Sequence, residues 1–143
     1  MKKYLTLLLA LPFFISCASD DFNYNNPHLP SGYNFSVDID MSLPLYSPLQ
    51  FTGNPVKIGI NNVGINGIIV MNTGSGFTAY EATCPNQDIS SCSEMYINGI
   101  NAVCPCDDVE YSLFTGQPNA DLRYSMMPYR IEILSPTYLR ITN

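Results

Sequence analysis

Between Asn34 and Met41 the chain alternates: Phe35, Val37, Ile39 and Met41 are apolar, while Asn34, Ser36, Asp38 and Asp40 are polar. A period of two puts alternate side chains on opposite faces of an extended backbone, so this segment is expected to be a strand with one wet face. After a proline-rich turn around Pro44 and Pro48, short apolar runs recur at 55–60, 67–71 and 77–83, with Gly-Ile-Asn-Asn-Val-Gly and Thr-Gly-Ser-Gly between them. Further runs rich in aromatic and branched residues follow at 110–114, 129–134 and 138–142, the first ending in a Thr115-Gly116 turn. Short runs broken by turn residues at nearly even spacing predict an all-β sandwich or barrel. The glycines of 59–67 do not make a phosphate loop, because no helical pattern follows them and no lysine stands where one is needed.

The start of the chain breaks this pattern. MKKYLTLLLALPFFISC has a basic beginning, an apolar run from Leu5 to Ile15 and small Ser16 before Cys17, the shape of a secretory signal. The run is too short to cross a bilayer comfortably, which takes about 20 residues. Phe14-Ile15-Ser16-Cys17 resembles the lipobox of bacterial lipoproteins, which implies a signal peptide over 1–16 and lipidation of Cys17. Acyl chains would anchor the protein without spanning the membrane. Ala18-Ser19-Asp20-Asp21 is similar to the acidic export signals of some outer-membrane lipoproteins, and reads equally as a solvated tether. Asn- and Pro-rich sequence then continues to about Gly32, so 17–33 is expected to be the lipidated end and linker, with His28 a solvated linker residue, and 34–143 the domain.

At 143 residues the chain has room for one ordinary domain, and 46% hydrophobic against 13% charged residues allows a real core. The formal net charge is -6; loss of Lys2 and Lys3 with the signal leaves four basic against twelve acidic residues, or -8. Lys57, Arg123, Arg130 and Arg140 are scattered, and nucleic acid is not an expected partner.

Four of the five cysteines fall within EATCPNQDISSCSEMYINGINAVCPCDDVEY, residues 81–111. Two short loops, Cys84-Pro85-Asn86 and Cys104-Pro105-Cys106-Asp107, flank a segment that reads as two short strands joined at Asn98-Gly99. In an exported chain such a set is first a disulfide framework, and four cysteines allow three pairings.

This arrangement resembles the Rieske family of iron-sulfur proteins, whose loops run Cys-x-His and Cys-x-x-His, each accompanied by one further cysteine. The likeness covers about 51–143. It includes Gly64-Ile65-Asn66-Gly67-Ile68-Ile69-Val70 before the first loop, the segment from Val109 to Pro118 after the second, and Pro128-Tyr129 before the last strands. It implies an antiparallel β-sandwich or barrel with a small two-loop cysteine subdomain. Cys84 and Cys104 match the cluster-ligating cysteines, and Cys92 and Cys106 the pair that forms a bracing disulfide in the respiratory members. Both histidines are replaced, the first by Asn86 and the second by Asp107, and the chain's one histidine is His28. A Rieske centre takes two imidazoles on one iron, and an amide oxygen is a poor substitute. No Gly-Pro segment of the kind that covers the cluster as a third loop is visible between Pro118 and Met126. Cluster-bearing members cross a membrane folded by the twin-arginine route, whereas this chain begins with Lys-Lys.

The resemblance therefore implies a bridge between Cys92 and Cys106, and it leaves Cys84 and Cys104 facing each other, able to close a second bridge if their Cα atoms lie about 4.4 to 6.8 Å apart. Zinc is disfavoured by spacings that lack Cys-x-x-Cys knuckles. Calcium would have to use Asn86, Asp88, Asp107 and Asp108, acidic loop tips that read first as solvated. No basic residue flanks the cysteines to lower a thiol pKa, so a redox-active dithiol finds no support in the sequence. Hydrolytic catalysis lacks a histidine partner, and Asp107, Asp108 and Glu110 have no visible acid/base counterpart. Met95, Met126, Met127 and nearby tyrosines read as core before they read as a docking face.

The expectation is a bacterial outer-membrane lipoprotein, periplasmic or surface-exposed, anchored through lipid on Cys17. Its Rieske-like domain is expected to hold no cofactor, to be braced by disulfides, and to act as a binding or structural module rather than an enzyme, its protein or small-molecule partner unnamed. The alternative is a 2Fe-2S electron-transfer protein with non-histidine ligation.

Overall fold

A computed structural model describes residues 24–30 and 32–143. The expected signal peptide, Cys17 and the acidic pair after it lie outside the described residues.

Among the described residues nine strands run in chain order: β1 (Ser36–Asp40), β2 (Val56–Ile58), β3 (Ile68–Asn72), β4 (Phe77–Glu81), β5 (Tyr96–Asn98), β6 (Asn101–Val103), β7 (Glu110–Ser112), β8 (Arg130–Ser135) and β9 (Tyr138–Thr142). A short 3-10 turn, Ser47–Gln50, sits between β1 and β2, where Pro44 and Pro48 set the chain direction. The strands form three antiparallel sheets, in the orders β1-β9-β8, β2-β3-β4 and β5-β6-β7. No described helix is long and apolar enough to cross a membrane.

The sheets are held as layers by β3. Its Ile68 and Val70 pack with Ile39, Leu139 and Ile141 of the β1-β9-β8 sheet. Its Ile69 and Met71 point the other way, into a second cluster with Met95, Ala102, Tyr111 and Met126. A strand buried on both faces has no polar position to alternate, which is why Ile-Ile-Val-Met reads as a continuous apolar run. β1 has the opposite character: Ile39 is fully buried while Ser36 and Asp38 are exposed, as its alternation predicts.

Each expected apolar run holds a strand, and the hairpin before the second cysteine loop is present with one shift. Asn98 pairs with Asn101, so the central turn residues are Gly99 and Ile100, not Asn98 and Gly99. Gly99 has φ 61, and a type II′ turn takes glycine at its first central position. Met95, Met126 and Met127 are buried, so they belong to the core and offer no docking face.

Candidate functional site

The β5-β6-β7 sheet and the end of β4 present the two cysteine loops side by side. The first leaves β4 through Thr83 and returns at Glu94, and the Cys84 N–H donates to the Ser93 carbonyl at 2.8 Å. The second joins β6 to β7: the Cys104 N–H donates to the Val109 carbonyl, and the Asp108 N–H to the Cys104 carbonyl, both at 2.9 Å. Asp108 holds φ 56, a left-handed conformation that aspartate tolerates better than most residues.

This frame brings all four cysteines into two disulfides. Cys84 bonds Cys104 with a Cα separation of 5.6 Å, and Cys92 bonds Cys106 with a Cα separation of 5.2 Å. The Cys84–Cys104 bridge is fully buried, whereas Cys92 and Cys106 are half-exposed. The Sγ atoms of Cys84, Cys104 and Cys106 all lie within 4.8 Å of one another. Gln87 donates its amide N–H to Cys104 Sγ at 2.9 Å, and the Ser90 hydroxyl lies 3.2 Å from Cys92 Sγ.

Asn86 and Asp107 stand where the resemblance places imidazoles, and each is committed elsewhere. The Asn86 side chain donates to the Tyr111 hydroxyl at 3.0 Å and to the Tyr124 carbonyl at 2.7 Å, and accepts the Tyr124 N–H at 2.9 Å. Burial pushes the Tyr111 phenol above its ordinary pKa; the hydrogen bond from Asn86 pulls it back, and the charge of Asp107 adds to the rise. Asp107 is exposed and accepts the Val109 N–H at 3.2 Å, which shapes its own loop. A Rieske ligand set is two thiolates and two imidazoles. Two thiols bonded to each other, an amide holding a neighbouring backbone and a solvated carboxylate do not fit that set.

The stretch 24–30 has a different role from the solvated linker expected of it. Asn26 is buried and donates to the Pro85 carbonyl at 2.6 Å and to the Tyr24 hydroxyl at 3.2 Å, and the Tyr24 hydroxyl in turn donates to the Ser125 carbonyl. The His28 ring nitrogen lies 2.9 Å from an Asp88 carboxylate oxygen, its ring meets Tyr124 edge-on at 5.9 Å, and Leu29 is buried in the core. A segment without Gly-Pro does lie against the first loop: Tyr124 holds Asn86, Asn26 and His28 hold Pro85 and Asp88, and the Tyr24–Ser125 hydrogen bond ties the two parts of this clasp together. Nothing in the polarity of Asn-Tyr-Asn-Asn-Pro-His marked this packing, although repeated Asn beside Pro is a composition that can satisfy backbone groups locally.

Among the described residues no three carboxylates lie close together. Among the described residues the single close group of three metal-ligating types is Cys84, Cys104 and Cys106. Asp38 pairs with Arg140 through two hydrogen bonds of 2.8 and 3.0 Å, and Asp40 accepts the N–H and hydroxyl of Ser42. The glycine loop of 59–67 does hold a carboxyl group, from its own chain. Buried Glu81 accepts the N–H of Ile65 at 2.8 Å and of Asn66 at 3.0 Å, together with the hydroxyls of Thr83 at 2.7 Å and Tyr129 at 2.6 Å. A Cβ at Gly64 would come within 2.6 Å of the Gly67 carbonyl and 2.7 Å of Glu81 Oε2, so the loop closes on the carboxyl only with glycine there. A lone acidic residue inside the otherwise uncharged run Phe77–Thr83 was the available signal for this group.

No protein-family model matches the chain, and no curated protein matches it. The structure is similar to solved structures at low sequence identity. One is from a complex of reduced oxygenase and oxidised ferredoxin in carbazole 1,9a-dioxygenase: TM-score 0.48, 18% identity, 77% of this chain and 93% of that chain covered. Another is an NADH-dependent nitrite reductase small subunit from Mycobacterium tuberculosis: TM-score 0.48, 14% identity, with 77% and 96% covered. A third is the ferredoxin of carbazole 1,9a-dioxygenase from Nocardioides aromaticivorans IC177: TM-score 0.46, 14% identity, with 76% and 95% covered.

Proposed function

We propose that this chain is an exported bacterial outer-membrane lipoprotein, anchored by acyl chains on Cys17, whose Rieske-like domain carries no cluster and serves as a binding or structural module. The observation that supports this reading is the bond between Cys84 and Cys104. The two sulfurs that would share an iron are joined to each other, so the loops are closed by covalent chemistry that needs no metal. The second bridge braces the same loops from outside, and Asn86 anchors the covering segment instead of offering a ligand. Each bridge contributes about 2 to 4 kcal/mol, chiefly by restricting the unfolded chain. The domain is read as a non-enzyme whose partner meets the loops and the clasp around them.

Native mass spectrometry of the protein released from its own membrane, under air and without reductant, tests this. The expected mass is that of the lipidated chain from Cys17 onward less four hydrogen atoms, two for each bridge. Added mass of two irons and two sulfides overturns the reading in favour of an electron carrier with unusual ligation. A mass without acyl groups overturns the anchor.

A further inference from the structure

We propose that the two disulfides form a thiol–disulfide exchange site, in which the outer Cys92–Cys106 bridge takes electrons from a dithiol and Cys106 then passes the reduction to the buried Cys84–Cys104 bridge. The warrant is the placement of three sulfurs. Cys106 Sγ lies within 4.8 Å of both Cys84 Sγ and Cys104 Sγ although it is bonded to neither. Exchange proceeds by attack of a thiolate on a disulfide sulfur, and the attacking atom here is already beside its target. The two bridges also differ in access: Cys84 and Cys104 are fully buried, while Cys92 and Cys106 are half-exposed beside exposed Ser90, Ser91, Pro105 and Asp107. An external reductant meets the outer bridge first.

The steps balance. A thiolate of the external dithiol attacks Cys106 Sγ, and Cys92 leaves as a thiolate beside the Ser90 hydroxyl, 3.2 Å from its sulfur. The second thiol of the reductant displaces Cys106 from the mixed disulfide, so the reductant departs as a disulfide, having delivered two electrons and two protons. The Cys106 thiolate attacks Cys84 Sγ. A Cys84–Cys106 bond forms, the Cys84–Cys104 bond breaks, and Cys104 leaves as a thiolate toward the Gln87 amide N–H, 2.9 Å from its sulfur. This last step moves the bridge without net change in electrons, and Cys104 takes up the proton that Cys106 gave up. Proximity substitutes for the depressed thiol pKa that the flanking sequence does not provide. The product exposes one end of the formerly buried bridge, so a second dithiol can reduce it in turn.

The test starts from protein whose mass shows both bridges, so that failure of exchange leaves the cluster-free reading standing. The wild-type chain is treated with one equivalent of dithiothreitol, quenched with acid, alkylated with N-ethylmaleimide and mapped by peptide mass spectrometry. The expected singly reduced species carries a Cys84–Cys106 bridge with Cys92 and Cys104 alkylated. A map in which Cys84–Cys104 is the one surviving bridge overturns the proposal. In Cys106→Ser, the buried bridge is expected to open at least about tenfold more slowly under the same dithiothreitol, because an intramolecular attack at effective concentrations of mM or more has been removed. Opening at the wild-type rate overturns it as well. The map is made on the wild-type chain, so it decides whether or not the variant folds.

Discussion

Glu81 shows how much of the fold one residue can hold. It is buried at the end of β4, and its two carboxyl oxygens collect two backbone N–H groups and two hydroxyls from four residues on three segments. The hydroxyls can turn to a new partner, but the Ile65 and Asn66 N–H groups cannot. In Glu81→Gln one oxygen becomes an amide N–H₂ that faces one of those backbone donors. A buried donor left without an acceptor costs about 1 to 3 kcal/mol. The expected result is a urea midpoint lowered by that cost divided by the slope, with the slope itself unchanged, the signature of a stability change without a change in the denatured state. Equal midpoints for Glu81→Gln and wild type would mean that the network contributes nothing. The Tyr129 phenol belongs to the same group, and burial first and the Glu81 charge second hold it well above the ordinary tyrosine range.

At the scale of elements, apolar runs and turn residues were enough to place every strand, but burial follows the alternation only in part: β1 alternates, whereas β4 buries Ala79, Tyr80 and Glu81 in succession and β8 leaves Ile133 and Leu134 exposed. The pairing of β1 with β9 across 102 positions of sequence was not legible, since alternation says which face is wet and not which strand lies alongside. Asp38 and Arg140 sit opposite each other in that pairing. The hydrogen bonds and charge of Arg140 hold the Asp38 carboxyl below the ordinary aspartate pKa of 3.8. A carboxylate whose folded pKa is depressed contributes stability that is present above its unfolded value and is lost as pH falls through the folded one. Wild type and Asp38→Asn are therefore expected to differ in thermal midpoint at neutral pH and to converge below about pH 3.8 as the wild-type carboxyl is protonated. A difference that persists unchanged into that acid range would assign it to something other than this pair. The cysteine loops were legible for a similar reason, since their chemistry lies in residue types at short spacing. The clasp formed by 24–29 and 124–125 was not, because it is built from backbone carbonyls and amide side chains that leave no periodic trace.

Across the whole molecule, the core is two clusters on opposite faces of β3, and ionisable phenols are built into both. Tyr129 lies in the first cluster, with Tyr24 packed against it, and Tyr80 and Tyr111 lie in the second. All four are raised above the ordinary value of 10.0, with burial the largest cause in each. An acid whose folded pKa is raised binds its proton more tightly in the native state than in the unfolded chain. Its contribution is thus whole below about pH 10 and is lost as pH climbs past 10 toward the folded value. Alkaline denaturation should therefore be a global event that takes both layers together, and not a loosening of one sheet. In an absorbance titration of phenolate, Tyr24, Tyr80, Tyr111 and Tyr129 are expected to ionise together with the loss of the circular dichroism, above the ordinary value of 10.0. Reducing both bridges removes about 2 to 4 kcal/mol each and should bring this joint transition to lower pH. Phenolate absorbance that reaches completion reversibly near pH 10, with the dichroism unchanged, would show that the phenols are not held by the packing that places them in the core.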